Sequence, residues 1–163
     1  MTMDICIRPP TSTDGQAVNQ LVASISELDS NSTYCNLLQC SHFSATSAIA
    51  CDASQVVGFV SGYRLPESPE VLFIWQVAIS QAARGKRLAS NMIQHLLERP
   101  QNHGVRFLET TITADNDASW ALFNSIARHY ACKGERSVLF DQHSHFAGLH
   151  DSELLFRIGP LQR

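Results

Sequence analysis

The chain lacks several features that mark specialised classes of protein. Its 163 residues contain no C-x-x-C motif, no internal repeat and no linker-like or low-complexity segment. The longest apolar run is far shorter than the roughly 20 residues that a membrane-spanning helix needs. Asp4 and Arg8 enclose no apolar segment, so no secretory signal is expected. These absences predict one domain over residues 1–163 that is cytoplasmic and has no membrane partner.

An excess of positive charge is also missing. Twelve Lys and Arg residues face 15 Asp and Glu residues, which leaves a net charge of −3. Nonspecific binding to nucleic acid needs many cationic contacts with phosphate, so no nucleic-acid partner is expected. Any site that binds an anion must therefore depend on a local group of residues rather than on the overall charge. The hydrophobic content of 44% is enough for an ordinary globular core.

The cysteines and histidines form no recognisable framework. Five cysteines are an odd number, which argues against a disulfide scaffold and favours free thiols in a reducing compartment. A nucleophilic cysteine is the alternative, although no His or Asp stands beside one in a known motif. His143 and His145 form an H-x-H pair without an evident third ligand, so no metal is expected.

The apolar pattern predicts an α/β domain. Alternation and β-branched runs predict strands over residues 5–8, 47–51, 56–64, 71–79, 105–112, 137–140 and 154–158. Helical spacing predicts helices that carry Val18 to Ile25, Tyr34 to Leu38, Ala89 to Leu97 and Trp120 to Tyr130. Pro66 and Pro69 indicate a loop before the long strand, and residues 141–151 form a second loop. On that strand, alternation predicts that Trp75, Val77 and Ile79 share one side.

The junction after the long strand carries the first chemical signal. Arg84, Gly85, Lys86 and Arg87 stand where the strand ends and a helix begins. Amide N–H groups at a helix N-terminus lack partners, and the helix dipole is positive there, so this junction is suited to a pyrophosphate. The alternative is a turn with solvated charges. The spacing matches neither a Walker loop nor a Rossmann glycine motif.

This junction resembles the [QR]-x-x-G-x-[GA] loop of the GNAT acyltransferase superfamily, whose backbone amides hold the pyrophosphate of coenzyme A. The window here is residues 82–87; its first and last positions depart from the pattern, while Arg84 to Lys86 and the following Leu88 and Ala89 fit. Residues 108–123 resemble the fifth strand and fourth helix of that superfamily. Asn116 matches an asparagine near the coenzyme, and Phe123 replaces a tyrosine thought to protonate the leaving thiolate.

The resemblance implies a GNAT-type mixed, mostly antiparallel central sheet with helices on both faces. It also implies acetyl-CoA as cosubstrate, strand residues beside the pantetheine arm, and a homodimer. The residues that it assigns to coenzyme binding are Val77, Ile79, Arg84, Gly85, Lys86, Arg87, Leu88, Ala89 and Asn116.

A narrower resemblance covers three separate segments. Residues 28–43, 72–78 and 148–158 are similar to signatures of the diaminobutyrate acetyltransferases of ectoine biosynthesis. This implies acetyl transfer to the γ-amine of L-2,4-diaminobutyrate by direct attack in a ternary complex. The alternatives are a GNAT enzyme for another small diamine or a protein amine, and a catalytically weak acyl-CoA-binding regulatory module, which the missing tyrosine favours.

The narrower resemblance selects five site residues, each of which also has an ordinary structural interpretation. Asp29 and Trp75 are expected to bind the substrate, while His150, Glu153 and Tyr34 are expected to be catalytic. An anion and an aromatic face suit an ammonium group, and histidine suits proton transfer near neutral pH. The structural alternatives are a turn-capping aspartate, a core tryptophan, a packed tyrosine and a structural His–Glu hydrogen bond.

Overall fold

The structure, a computed structural model, describes residues 2–163. The seven strands are β1 (Ile5–Arg8), β2 (Ala48–Asp52), β3 (Gln55–Leu65), β4 (Ser68–Ile79), β5 (Phe107–Ile112), β6 (Gly134–Phe140) and β7 (Glu153–Ile158). The four α-helices are α1 (Gly15–Ala23), α2 (Thr33–Ser41), α3 (Leu88–Glu98) and α4 (Asp117–His129). Their order along the chain is the order predicted from the apolar pattern.

The strands form one sheet in the order β1-β2-β3-β4-β5-β7-β6. Antiparallel pairing joins β1 to β2, β2 to β3, β5 to β7 and β6 to β7. A mostly antiparallel α/β architecture is therefore confirmed. The predicted loop before the long strand is shorter than expected, because β4 already begins at Ser68 and includes Pro69. Proline is tolerated near the start of a strand, where its missing N–H is least needed.

The chain divides into two compact units, and β4 contributes to both. The first unit comprises residues up to 63 together with residues 74–104; the second comprises residues 64–73 and 105–163. The prediction of a single domain over residues 1–163 is not tested by this division and stays a prediction.

In the first unit, the stripe predicted for α1 is buried. Val18, Leu21 and Val22 pack with Phe59 of β3 and Ala78 of β4 in one apolar cluster. Ile25 joins this cluster although it lies two residues beyond the end of α1. Helix α3 buries a second stripe that comprises Met92, Ile93, Leu96 and Leu97.

Helix α2 differs from its apolar pattern. Its fully buried residues are Asn36, Gln39 and Cys40, whereas Leu37 and Leu38 are only partly buried. Ser32 caps the helix by accepting a hydrogen bond from the Cys35 amide at 3.1 Å. Two buried carboxamides on a helix need internal hydrogen-bond partners, so α2 contains a polar network that the binary pattern does not reveal.

In the second unit, α4 packs its aromatic face against β7. The Trp120 and Phe156 rings meet edge to face with centroids 5.3 Å apart, and the Arg136 guanidinium lies 3.9 Å from the Trp120 ring centroid. Arg157 of β7 pairs with the buried Glu109 carboxylate, its cross-strand neighbour on β5. Removing either member of this pair would leave the other charge without its partner.

Candidate active site

The loop from β4 to α3 is exposed and leaves the N-terminus of α3 without a side-chain cap. Gly85 has a φ of +75°, and a Cβ added there would meet nothing within 4 Å. Arg87 is the N-cap of α3 in the left-handed conformation, with a φ of 59°, and no side chain caps the helix. The amides of the first turn therefore lack partners within the helix, while Gly85, Lys86 and Arg87 are exposed. Unpaired amides beside three cationic side chains fit a pyrophosphate.

The Arg84 side chain connects this loop to the end of β4 by a hydrogen bond. Its Nε donates to the carbonyl oxygen of Ile79 at 3.3 Å, and its Nη2 lies 3.9 Å from a carboxylate oxygen of Glu27. Both of these charged groups are substantially exposed, so the ion pair contributes little to stability. Arg84 therefore shapes the loop through the Ile79 carbonyl. Leu88 is buried and Ala89 is half-buried, as expected for the first turn of a packed helix.

The middle of β4 is incompletely covered. Ile74 and Ala78 are buried, whereas Trp75 is 48% exposed and Gln76 and Val77 are half-buried. The Trp75 ring meets Tyr63 edge to face at 6.1 Å between centroids, and Tyr63 in turn contacts Phe43 at 6.0 Å. Trp75 is therefore a surface residue supported by aromatic neighbours. This excludes the core-tryptophan interpretation.

Asp29 is held beside this part of β4 through its backbone. Gln76 donates from Nε2 to the Asp29 carbonyl oxygen at 3.2 Å, and its Oε1 accepts from Asn31 Nδ2 at 2.8 Å. No hydrogen bond or ion pair in the described part of the chain engages the Asp29 carboxylate, so it is not a turn-capping group. The carboxylate remains available for an external cation.

Tyr34 lies in the first turn of α2 and is 69% exposed. This exposure argues against the alternative of ordinary helix packing with an exposed hydroxyl. An exposed phenol at this position is compatible with substrate contact, and the role of Tyr34 in catalysis stays a prediction.

In the second unit, His150 and Glu153 come together where the loop enters β7. His150 Nε2 lies 4.0 Å from Glu153 Oε1, and His150 Nδ1 lies 2.6 Å from the Asp151 carbonyl oxygen. A carbonyl oxygen only accepts hydrogen bonds, so Nδ1 carries the proton and the neutral ring has its lone pair on Nε2. This tautomer makes Nε2 a proton acceptor, with a carboxylate nearby to stabilise the imidazolium.

The loop that presents His150 is held by its own polar groups. The Asp141 carboxylate accepts from the amides of His143 and Ser144 at 2.9 and 2.8 Å, and these hydrogen bonds lower the pKa of Asp141. His145 Nδ1 accepts from the Asp141 amide at 2.8 Å. The His145 side chain thus stabilises the loop, whereas His143 contributes through its backbone amide. Within residues 2–163, no three His, Cys, Asp or Glu side chains cluster as metal ligands would.

Asn116 has a structural role that the sequence interpretation did not assign. It is the N-cap of α4, and its side-chain oxygen accepts from the Ser119 amide at 3.2 Å. Its expected contact with the coenzyme stays a prediction. Phe123, on the same helix, is 2% exposed and belongs to the core of the second unit.

Two of the five cysteines are in surroundings that disfavour the thiolate. All five are free thiols, and burial raises the pKa of Cys40 to about 11 and also raises that of Cys51. A thiol with a raised pKa is a poor source of thiolate near neutral pH. Cys40 and Cys51 are therefore poor candidates for a cysteine-bound acyl intermediate.

The candidate residues thus form two groups. The first unit contains the loop at 84–89, strand residues Trp75, Val77 and Ile79, and the anchored Asp29; the second contains the His150–Glu153 pair and Asn116. Sequence reasoning missed Gln76 and Asn31, because a carboxamide in a strand or loop carries no motif. Their only signal was their presence inside the segments that resemble known signatures.

Comparisons with known proteins identify the family of the chain. The profile of the Acetyltransferase (GNAT) family matches residues 18–126. The chain therefore belongs to the GNAT family of acetyltransferases and is an N-acetyltransferase. No helix within residues 2–163 has the length and apolar character to cross a membrane.

Three individual relatives are similar to the chain over almost its whole length. The chain is 46% identical over 158 residues to the L-2,4-diaminobutyric acid acetyltransferase of Methylotuvimicrobium alcaliphilum, covering 97% of this chain and 92% of the relative. It is 49% identical over 155 residues to that of Vibrio cholerae, covering 95% and 89%. The solved diaminobutyrate acetyltransferase of Paenibacillus lautus, in complex with L-2,4-diaminobutyric acid and coenzyme A, has a TM-score of 0.93 at 36% identity and covers 99% of this chain and 98% of its own.

Proposed function

We propose that this enzyme transfers the acetyl group of acetyl-CoA to the γ-amine of L-2,4-diaminobutyrate. The product is N4-acetyl-L-2,4-diaminobutyrate, a precursor of ectoine. The observation that carries this proposal is the match, with a TM-score of 0.93 over 99% of the chain, to an enzyme bound to that amine and to coenzyme A. The transfer is direct: the neutral amine attacks the thioester carbon, and coenzyme A leaves as the thiolate.

The first unit binds the coenzyme through its β4–α3 loop. The backbone amides that follow Gly85 receive the pyrophosphate, while Arg84, Lys86 and Arg87 supply positive charge. Val77 and Ile79 line the pantetheine arm. The uncapped N-terminus of α3 supports this assignment.

The same unit supplies groups for an ammonium-bearing substrate. Asp29 offers a carboxylate without an internal partner, and Trp75 offers an exposed aromatic face. Diaminobutyrate carries two amines that are mostly protonated at neutral pH. An anion and an aromatic face both stabilise an ammonium group, so these residues suit the amine that is held rather than acetylated.

His150 is the proposed proton acceptor. His150 Nε2 removes a proton from the reacting ammonium group, and Glu153 stabilises the imidazolium that forms. The hydrogen bond from Nδ1 to the Asp151 carbonyl oxygen holds the ring in the tautomer that this step needs. Tyr34 is the proposed donor to the departing thiolate, in place of the tyrosine that Phe123 replaces.

The experiment is steady-state kinetics by thiol release, with each substrate varied and a panel of amines. Asp29→Asn and Glu153→Gln keep the side-chain shape and remove its charge. A charge-assisted hydrogen bond contributes about 1.5–3 kcal/mol, which predicts a roughly tenfold to hundredfold loss of kcat/KM for diaminobutyrate. The affinity for coenzyme A should not change. Preference for another diamine or for a peptide amine would refute the proposed substrate. If no amine were acetylated, the alternative of a catalytically weak coenzyme-binding module would be favoured.

We also propose a cytoplasmic homodimer. Free thiols and the family resemblance support these two assignments, and strand β6 is exposed along its whole length at the end of the sheet. Light scattering coupled to gel filtration measures the oligomeric state, and a monomer at micromolar concentration would contradict the dimer.

A further inference from the structure

A chain of carboxamide hydrogen bonds leads from the interior of the first unit to the loop that carries Asp29. Its outer member is Gln76, on the incompletely covered stretch of β4. Both ends of this side chain are used: Oε1 accepts from Asn31 Nδ2 at 2.8 Å, and Nε2 donates to the Asp29 carbonyl oxygen at 3.2 Å. Gln76 therefore bridges the strand to two residues of one loop.

The inner members of the chain are anchored in the core. Asn19 Nδ2 donates to the Asn31 carbonyl oxygen at 2.8 Å and to Asn36 Oδ1 at 3.0 Å. Asn36 Nδ2 donates to Gln39 Oε1 at 2.8 Å, and both of these residues of α2 are essentially fully buried. Buried amides have no solvent to exchange with, so their orientation is set by their partners.

The hydrogen bonds run in both directions from Asn19, whose amide nitrogen donates inward to Asn36 and outward to the Asn31 carbonyl oxygen. In every one of these bonds a nitrogen donates to an oxygen, so reversing any single carboxamide would place two donors or two acceptors against each other. The carbonyl oxygens of residues 29 and 31 are both acceptors in these bonds. As a result, the backbone of the loop is held at two points, while the carboxylate of the exposed Asp29 makes no bond within residues 2–163.

We propose that Gln76, together with Asn31 and Asn19, is a positioning residue for the amine substrate. It fixes the loop so that the Asp29 carboxylate stands where it receives the substrate's ammonium group. This inference rests on the proposed function, in which Asp29 binds diaminobutyrate. In this role Gln76, Asn31 and Asn19 act through Asp29 rather than by binding the substrate themselves.

The chemistry of the bridge explains why an amide stands at position 76. A glutamate would lose the donor toward the Asp29 carbonyl and would bring a second negative charge to the site. A hydrocarbon would leave the loop held only through Asn19. Of the two partners of Gln76, Asp29 is exposed and Asn31 is half-buried, so water replaces the lost bonds and the fold loses little stability, whereas the loop loses its fixed position.

The test compares Gln76→Met with Gln94→Met. Gln94 lies on α3 and donates to Ser90 Oγ at 3.3 Å, so its replacement removes a comparable amide without touching the Asp29 loop. Gln76→Met should raise the KM for diaminobutyrate about tenfold, equivalent to about 1.4 kcal/mol. Its kcat and its KM for acetyl-CoA should stay within about twofold, and Gln94→Met should match the parent in all three.

A second variant separates positioning from a general loss of structure. Asn31→Ala removes one of the two bonds made by Gln76, so its effect should be smaller and in the same direction. The double variant should be no worse than Gln76→Met alone, because the two substitutions break a shared bond. Additive effects, or equal increases in both KM values with a lowered melting temperature, would show a merely structural role and overturn the proposal.

The outcomes also separate this inference from the proposed function. If the parent acetylates diaminobutyrate and Asp29→Asn impairs it while Gln76→Met does not, the positioning role is wrong and the function stands. If the parent does not acetylate diaminobutyrate, both are wrong.

Discussion

Gly85 offers the sharpest test of the coenzyme loop. Its φ of +75° lies in the left-handed region, yet a Cβ at this position would touch nothing within 4 Å. Gly85→Val therefore introduces backbone strain without a steric clash. A left-handed conformation costs an L-residue roughly 1–2 kcal/mol, and a β-branched residue is among the least tolerant.

The strain should lower the affinity for coenzyme A rather than the stability of the fold. The loop is exposed, so the free variant can relax the introduced valine to a negative φ with little loss of packing. Binding the pyrophosphate then requires the strained conformation again. An energy of about 1–2 kcal/mol corresponds to a roughly fivefold to thirtyfold weaker affinity for coenzyme A. Gly85→Asn should stay close to the parent, because asparagine tolerates the left-handed region.

Calorimetric titration with coenzyme A measures this directly. Gly148 is the matched control, because it has a φ of +78° and equally open surroundings but lies in the loop before β7. Gly148→Val should leave coenzyme affinity unchanged. Unchanged affinity in a folded Gly85→Val variant, or an equal loss in both valine variants, would refute the assignment of this loop to the pyrophosphate.

Three further predictions concern the mechanism and the fold. Each single Cys→Ala variant should retain activity, and mass spectrometry should find no acetylated cysteine; a trapped acetyl-Cys in the parent would contradict direct transfer. Hydrogen bonding to Arg8 lowers the pKa of Asp14 from 3.8, so this contribution to stability is complete above that pH and is lost as the pH falls through the lower folded value. The gap in urea midpoint between the parent and Asp14→Asn should therefore narrow from pH 7 to about pH 3, and a constant gap would refute the pairing. Arg99 is buried with a pKa lowered to about 10, and its Nη1 donates to three carbonyl oxygens, including that of Ser47 at 2.7 Å. Arg99→Met should cost at least about 2 kcal/mol in urea unfolding, and Arg99→Lys less; equal stability of Arg99→Met and the parent would contradict this role.

Much of the fold could be predicted from the sequence, because helices and strands are encoded by local periodicity. The stripe from Val18 to Ile25 and the apolar run from Val71 to Ile79 predict their elements without knowledge of the rest of the chain. The loop proposed to bind the coenzyme is also local: a glycine and three cationic residues stand between a strand and a helix. Its recognition required only that the two neighbouring elements be identified correctly.

The arrangement of the groups proposed to bind the amine required the tertiary structure. Asn31 and Gln76 are 45 positions apart, and nothing in either neighbourhood selects the other as a partner. The same holds for β7, which lies between β5 and β6 rather than after them, and for the Glu109–Arg157 pair that this order creates. Buried Asn36 and Gln39 contradict the binary pattern of α2, because they bond to each other and, through Asn36, to Asn19 in a network formed only on folding. Periodicity therefore determined which segments are helices and strands, whereas the path of the chain decided which polar groups meet, since a hydrogen bond depends on the distance between two atoms and not on their separation in sequence.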